Sequence, residues 1–90
     1  MTLQELRKRI HVDVLERAKT EEFMFLVPPF NDSGKVYFHM KSGFLATINN
    51  YNVIIDVDGG SYCSCSDYLT RKRACKHIAK LVLLIENDVV

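Results

Sequence analysis

No stretch of the sequence approaches the ~20 consecutive apolar residues of a membrane span, and its charged, amphipathic start lacks the apolar core of a secretory signal. The expectation is an intracellular protein, of cytoplasm or nucleoid, with no membrane partner. An even complement of cysteines is also missing. The three present, Cys63, Cys65 and Cys75, cannot all pair, and Cys63 and Cys65 stand too close for a relaxed disulfide. A disulfide framework is therefore a poor reading, and a reducing compartment is the expected one. No Ser/His/Asp set, no paired carboxylates and no phosphate-binding glycine loop are visible, so an enzyme is not expected. The net charge of +1 falls short of the strongly basic balance of many nucleic-acid binders.

What the sequence does contain is the pattern C-x-C-x9-C-x-H formed by Cys63, Cys65, Cys75 and His77, which uses every cysteine. Three thiolates and an imidazole are the Cys3His set of structural zinc, and four protein ligands leave no coordination position for a substrate. One zinc per chain is expected, in a protein that binds rather than catalyses. The bland alternative is three small core cysteines beside an incidental histidine, with a redox role for Cys63 and Cys65 as a minor one. His11 and His39 read as solvent-edge residues rather than ligands.

Ninety residues make a single small domain, 1–90, with a modest hydrophobic core, so a metal staple matters. Residues 1–50 read as an N-terminal helix and strands, and 51–90 as the zinc-binding module. Thr2 and Glu5 fit a capping box ahead of Leu3, Leu6, Ile10, Val14 and Ala18 at helical spacing, giving an amphipathic helix over about Leu3 to Lys19. That stripe either covers the domain's own sheet or pairs with another copy as a homodimer. Phe23 to Val27 reads as a strand stopped by Pro28 and Pro29, with a turn at Asn31 to Gly34. From Lys35 the pattern alternates, with Val36, Phe38 and Met40 on the buried face and Tyr37, His39 and Lys41 on the exposed one. Phe44, Ala46 and Ile48 continue it to a turn at Asn49-Asn50. Tyr51, Val53, Ile55 and Val57 follow, ending at the hairpin signal Asp58-Gly59-Gly60. A last helix begins at the second ligand pair and runs to about Asn87, with Ile78, Leu81, Val82 and Ile85 as its apolar stripe.

Spacing constrains the ligands further. Tetrahedral Zn–S bonds of ~2.3 Å place sulfurs roughly 3.8 Å apart, whereas residues two apart in a strand are separated by about 6.6 Å. Cys63-Ser64-Cys65 must bend, with Ser64 and Ser66 capping backbone groups. Residues two apart on a helix do not face one another, so Cys75 belongs at or just before the N-cap and His77 in the first turn. The thiolates then lie near the positive end of the helix dipole. Lys76 sits where a cation is unfavourable unless the negative zinc–thiolate unit compensates it.

The stretch from Tyr51 to Ile85, with Tyr51-x-Val53, Cys63-x-Cys65, Tyr68, Cys75-Lys76-His77-Ile78 and an apolar helix, resembles the SWIM zinc finger family. The resemblance implies a ββα zinc module. With the N-terminal helix and strands read from the pattern before Tyr51, which the resemblance does not cover, the expectation is an α+β fold of an N-terminal helix, a small antiparallel sheet of three to five strands and a C-terminal zinc finger. The resemblance also implies an accessory domain that binds DNA or protein. For nucleic acid, with DNA preferred to RNA, the candidate phosphate contacts are Arg71, Lys72, Arg73, Lys76 and Lys80, five cations against the single acid Asp67 between Ser66 and Lys80. The zinc site would fix the basic loop that presents them, and Tyr37, His39 and Lys41 would extend the footprint. The alternative is a protein adapter docking a recombinase paralogue or an ATPase.

Overall fold

The computed structural model describes residues 3–26, 36–58 and 60–88. Thr2 of the capping box, the strand end at Val27, the Pro28-Pro29 stop, the turn at Asn31 to Gly34, and Gly59 lie outside them. The elements run α1 (Leu3–Arg9), α2 (Val12–Thr20), β1 (Phe38–Met40), β2 (Gly43–Ile48), β3 (Tyr51–Asp56), β4 (Ser61–Cys63), α3 (Ser66–Arg71) and α4 (Lys76–Asp88). The strands form one antiparallel sheet in the order β1-β2-β3-β4, an α+β arrangement as expected. Among the described residues no helix is long and apolar enough to cross a membrane.

The single N-terminal helix read from periodicity is two helices. The Ile10 N–H closes α1 on the Arg7 carbonyl, and His11 turns extended (φ −61°, ψ 143°) to cap α2, its Nδ1 accepting the Asp13 N–H at 3.2 Å. A side-chain acceptor at the right offset offers the backbone an alternative to continuing the helix, and periodicity does not register it. Leu6, Ile10 and Ala18 are nevertheless buried, and both helices pack on α4.

Helix α4 is the middle layer. One side meets β3 and β4 and the other meets α1 and α2. Ile78, Ala79, Leu81, Val82 and Ile85 are accordingly all but inaccessible, clustered with Ala46, Ile48, Val53 and Ile55 from the sheet. Each such aliphatic side chain is worth roughly 1.5–3 kcal/mol of transfer free energy, so α4 is the element on which both halves depend.

Two hairpins set the register. Asn49 and Asn50 both take positive φ (53° and 68°), the backbone that a tight two-residue turn demands, and Ile48 pairs with Tyr51. The Asn49 side chain also accepts the Met24 N–H at 2.8 Å and its backbone N–H donates to the Met24 carbonyl at 2.7 Å. Residues 23–26 are thereby tied beside the end of β2, where Phe25 bridges Ile48. The expected strand there is only this bridge among the described residues.

The faces of β1 are the reverse of the alternation reading. Tyr37 is buried, while Phe38 and Met40 are 39% and 41% exposed. The turn at Lys41-Ser42 pairs Met40 with Gly43 and His39 with Phe44. Antiparallel partners share a face, so the inward set Phe44, Ala46 and Ile48 draws His39 and Tyr37 to its own side. Tyr37 meets the Phe44 ring edge-on at 5.8 Å, and His39 stacks on it at 4.5 Å. Of the expected exposed row, His39 and Lys41 are exposed but Tyr37 is buried.

Candidate metal centre

Strand β4 ends on Cys63, and the chain bends at once. The Ser64 N–H donates to the Asn52 carbonyl at 3.0 Å, and the Asn52 N–H donates to Ser64 Oγ at 2.9 Å, which pins the bend to β3. Cys65 is extended (φ −72°, ψ 156°) and caps α3, its sulfur accepting the Tyr68 N–H at 3.4 Å. Ser64 satisfies a backbone group as expected, holding the hairpin through the Asn52 N–H, while the ligand Cys65 caps the helix. Cys75 immediately precedes α4, its carbonyl accepting the Ala79 N–H at 3.0 Å, and His77 stands in the first turn as expected.

These placements bring the four side chains together. Their ligand atoms all lie within 4.8 Å of one another, and all four residues are buried. His77 Nδ1 is 3.7 Å from both Cys63 Sγ and Cys75 Sγ. A tetrahedral zinc separates ligand sulfurs by about 3.8 Å, so the set needs to contract by only about an ångström around the ion. Backbone N–H groups of Cys65 and Ile78 approach the sulfurs of Cys63 and Cys75, which favours the thiolate at those two, and the Tyr68 N–H donates to Cys65 Sγ at 3.4 Å. Buried thiols of a merely structural core have no such use for donors, and the donor set fits one structural zinc.

Without metal the cluster stabilises a single thiolate. The Cys63 thiol donates to Cys75, whose pKa is thereby lowered to about 4 against the opposing effect of burial, with His77 and the Ile78 N–H assisting. The same hydrogen bond, together with burial, pushes Cys63 far up.

His77 is held by its surroundings as well as by its helix. Phe23 meets the ring edge-on at 6.1 Å, Tyr51 lies at 5.1 Å, and Asn49 Nδ2 is 3.4 Å from Nε2. A cleft of about 430 Å³, lined by Arg17, Asn49, Tyr51, Arg71 and Lys76 among others, opens beside the ligands. Of these, Arg71 and Lys76 were candidate phosphate contacts, and Tyr51 and Asn49 belonged to the strand and turn reading, whereas Arg17 carried no signal in sequence.

The five candidate cations do not form one patch. Arg71 pairs with Asp67 at 3.0 Å, and Lys76 Nζ is 2.8 Å from Glu21 Oε1, while Glu21 Oε2 accepts Arg17 Nε at 2.8 Å. Hydrogen bonds from Lys76 and then Arg17 lower the Glu21 pKa from its ordinary 4.5. Glu21, 55 residues away, thus compensates the cation at the start of α4, alongside the zinc–thiolate unit. Lys80 Nζ lies 5.6 Å over the Phe23 ring. Lys72 and Arg73 are exposed and form no ion pair among the described residues. The expected basic loop is helix α3 followed by a short connection, with Lys72 in the left-handed conformation (φ 57°) closing it on the Tyr68 carbonyl. The overlooked signal was a capping residue at Cys65 ahead of Ser66-Asp67.

An α+β module whose sheet and two helix starts converge on a Cys3His cluster defines a zinc-binding finger. Residues 47–86 match the family model of the SWIM zinc finger. Neither the curated proteins nor the solved structures contain a match to the chain.

Proposed function

We infer that the chain is a nucleic-acid-binding module, acting on DNA in preference to RNA, in which the structural zinc positions basic residues. The observation that carries this is the run Arg71-Lys72-Arg73, exposed at the end of α3 and joined through Ala74 directly to the ligand Cys75. Phosphate contacts are supplied by such cations, and a metal-fixed backbone lowers the entropy lost in presenting them. A zinc with four protein ligands goes with a non-catalytic role. Three zinc thiolates go with a reducing compartment, in keeping with cytoplasm or nucleoid.

The test is binding to a labelled DNA duplex across a salt series, for wild type and for Arg71→Ala/Lys72→Ala/Arg73→Ala. Each lost phosphate contact flattens the plot of log K against log salt by about 0.9. Binding that is indifferent to salt and to the triple substitution sinks this reading.

One observation favours a second reading, a protein adapter for a recombinase paralogue or an ATPase. Phe38, Leu45, Ile54 and Tyr62 form a cross-strand apolar row on the face of the sheet away from α4, with Tyr62 42% exposed. Leu6, Ile10 and Ala18 of the N-terminal stripe are already buried within the chain and Val14 packs partly against them, so this row is the better candidate for a homodimer. Sedimentation of wild type and Phe38→Ser separates the homodimer from a monomer that docks another protein.

A further inference from the structure

The N-terminal helix ends in Arg7-Lys8-Arg9 and helix α3 runs into Arg71-Lys72-Arg73, the same tripeptide twice. Cations at a helix C-terminus offset the helix dipole, so each triplet alone has an ordinary explanation. Their convergence does not. Arg9, Lys72 and Arg73 line one groove of about 290 Å³, together with Gly60, Ser61 and Ala74. No carboxylate is among its described lining residues; those of Asp56 and Asp58 stand beside Gly60, and Asp58 is turned back onto the Gly60 N–H at 3.1 Å.

Five other cations contrast with these three, while Lys8, Lys41 and Lys80 likewise form no ion pair among the described residues but do not line this groove. Arg7, Arg17, Lys19, Arg71 and Lys76 are each matched to a carboxylate, by Glu86, Glu21, Glu16, Asp67 and Glu21 in turn. Arg9, Lys72 and Arg73 form no ion pair among the described residues, although they share one groove and repel one another. Lys72 adds an independent sign, because it occupies a left-handed position where glycine is the usual residue and a side chain is held at a conformational cost.

The geometry points to this groove as the phosphate-binding site of the module, with Arg9 of α1 joining Lys72 and Arg73 on the backbone of nucleic acid. This rests on the nucleic-acid reading above and narrows it. Arg71, Lys76 and Lys80, which are engaged elsewhere, drop out of the contact set, and a helix outside the zinc finger enters it. The zinc has a defined part here, since Cys75 lies two residues beyond Arg73 and anchors that wall.

Fluorescence anisotropy with a DNA duplex tests it, using full-length zinc-loaded Arg9→Gln, Arg73→Gln, Arg9→Lys and Lys80→Gln. Circular dichroism and zinc content serve to check that each variant is folded. Arg9→Gln and Arg73→Gln should each weaken binding about 3- to 10-fold at low salt and flatten the salt slope by about 0.9. Arg9→Lys and Lys80→Gln should match wild type. If Arg73→Gln weakens binding and Arg9→Gln does not, the composite groove is refuted while nucleic-acid binding stands. If the wild type binds no DNA even at low salt, the nucleic-acid reading fails and the groove's assignment fails with it.

Discussion

Replacing Cys75 by serine removes the ligand that joins the zinc cluster to the start of α4, the helix buried between the sheet and the N-terminal helices. At roughly 0.05–0.15 kcal/mol per residue, a chain of this size has about 5–13 kcal/mol of net stability. Zinc contributes apparent binding free energies of about 10–16 kcal/mol in finger peptides. Losing the metal is therefore comparable to losing the whole margin, and the damage should not stay local. Ile78, Leu81, Val82 and Ile85 bury themselves against both layers, so an unanchored α4 releases α1 and α2 as well as the sheet. Metal analysis should find Cys75→Ser without stoichiometric zinc. Circular dichroism should show it unfolded, or melting far below wild type, and chelator added to wild type should reproduce that loss. A metal-free Cys75→Ser protein with the wild-type melting temperature would refute the structural role of zinc.

Three other perturbations read separate parts of the structure. Lys72→Gly relieves the left-handed backbone at the end of α3 and should stabilise the zinc-loaded protein by roughly 1 kcal/mol in urea titrations while weakening DNA binding. Gly43→Ala places a Cβ against the Ile55 carbonyl at φ +149° and should cost roughly 1–3 kcal/mol by the same measurement, since β2 and β3 must separate to admit it. Glu21 has its carboxyl pKa lowered by Lys76 and then Arg17, so its contribution to stability is present above the ordinary value of 4.5 and fades as pH falls through the lower folded value. Lys76→Met should move the Glu21 carboxyl titration, followed by NMR, up toward 4.5, and an unmoved titration would remove Lys76 as its main cause.

Features governed by near neighbours were legible in the sequence. The C-x-C and C-x-H spacings forced a bend and a helix start, because a tetrahedral ion tolerates only one range of ligand separations, and both are found at Cys63–Cys65 and Cys75–His77. The Asn49-Asn50 turn and the apolar stripe of α4 were equally local. Features that depend on competition or on distance were not legible. The break at His11 depends on a side-chain cap outbidding helix continuation, and α3 begins at a cysteine that reads first as a ligand. The facing of β1 follows from its register against β2, so alternation alone assigned Tyr37 and Phe38 to the wrong sides.

The charges divide in the same way. Sequence by itself determined the zinc ligands and located a basic run between them, because both are patterns of residues close along the chain. Only the tertiary structure decided which cations are neutralised and which are not. It drew Glu21 across 55 residues to Lys76, set Asp67 on Arg71, and brought Arg9 beside Lys72 and Arg73, which form no ion pair among the described residues. Electrostatic interactions act through space and decay over about 10 Å at moderate salt, so a charge pattern has meaning only once folding has fixed those distances.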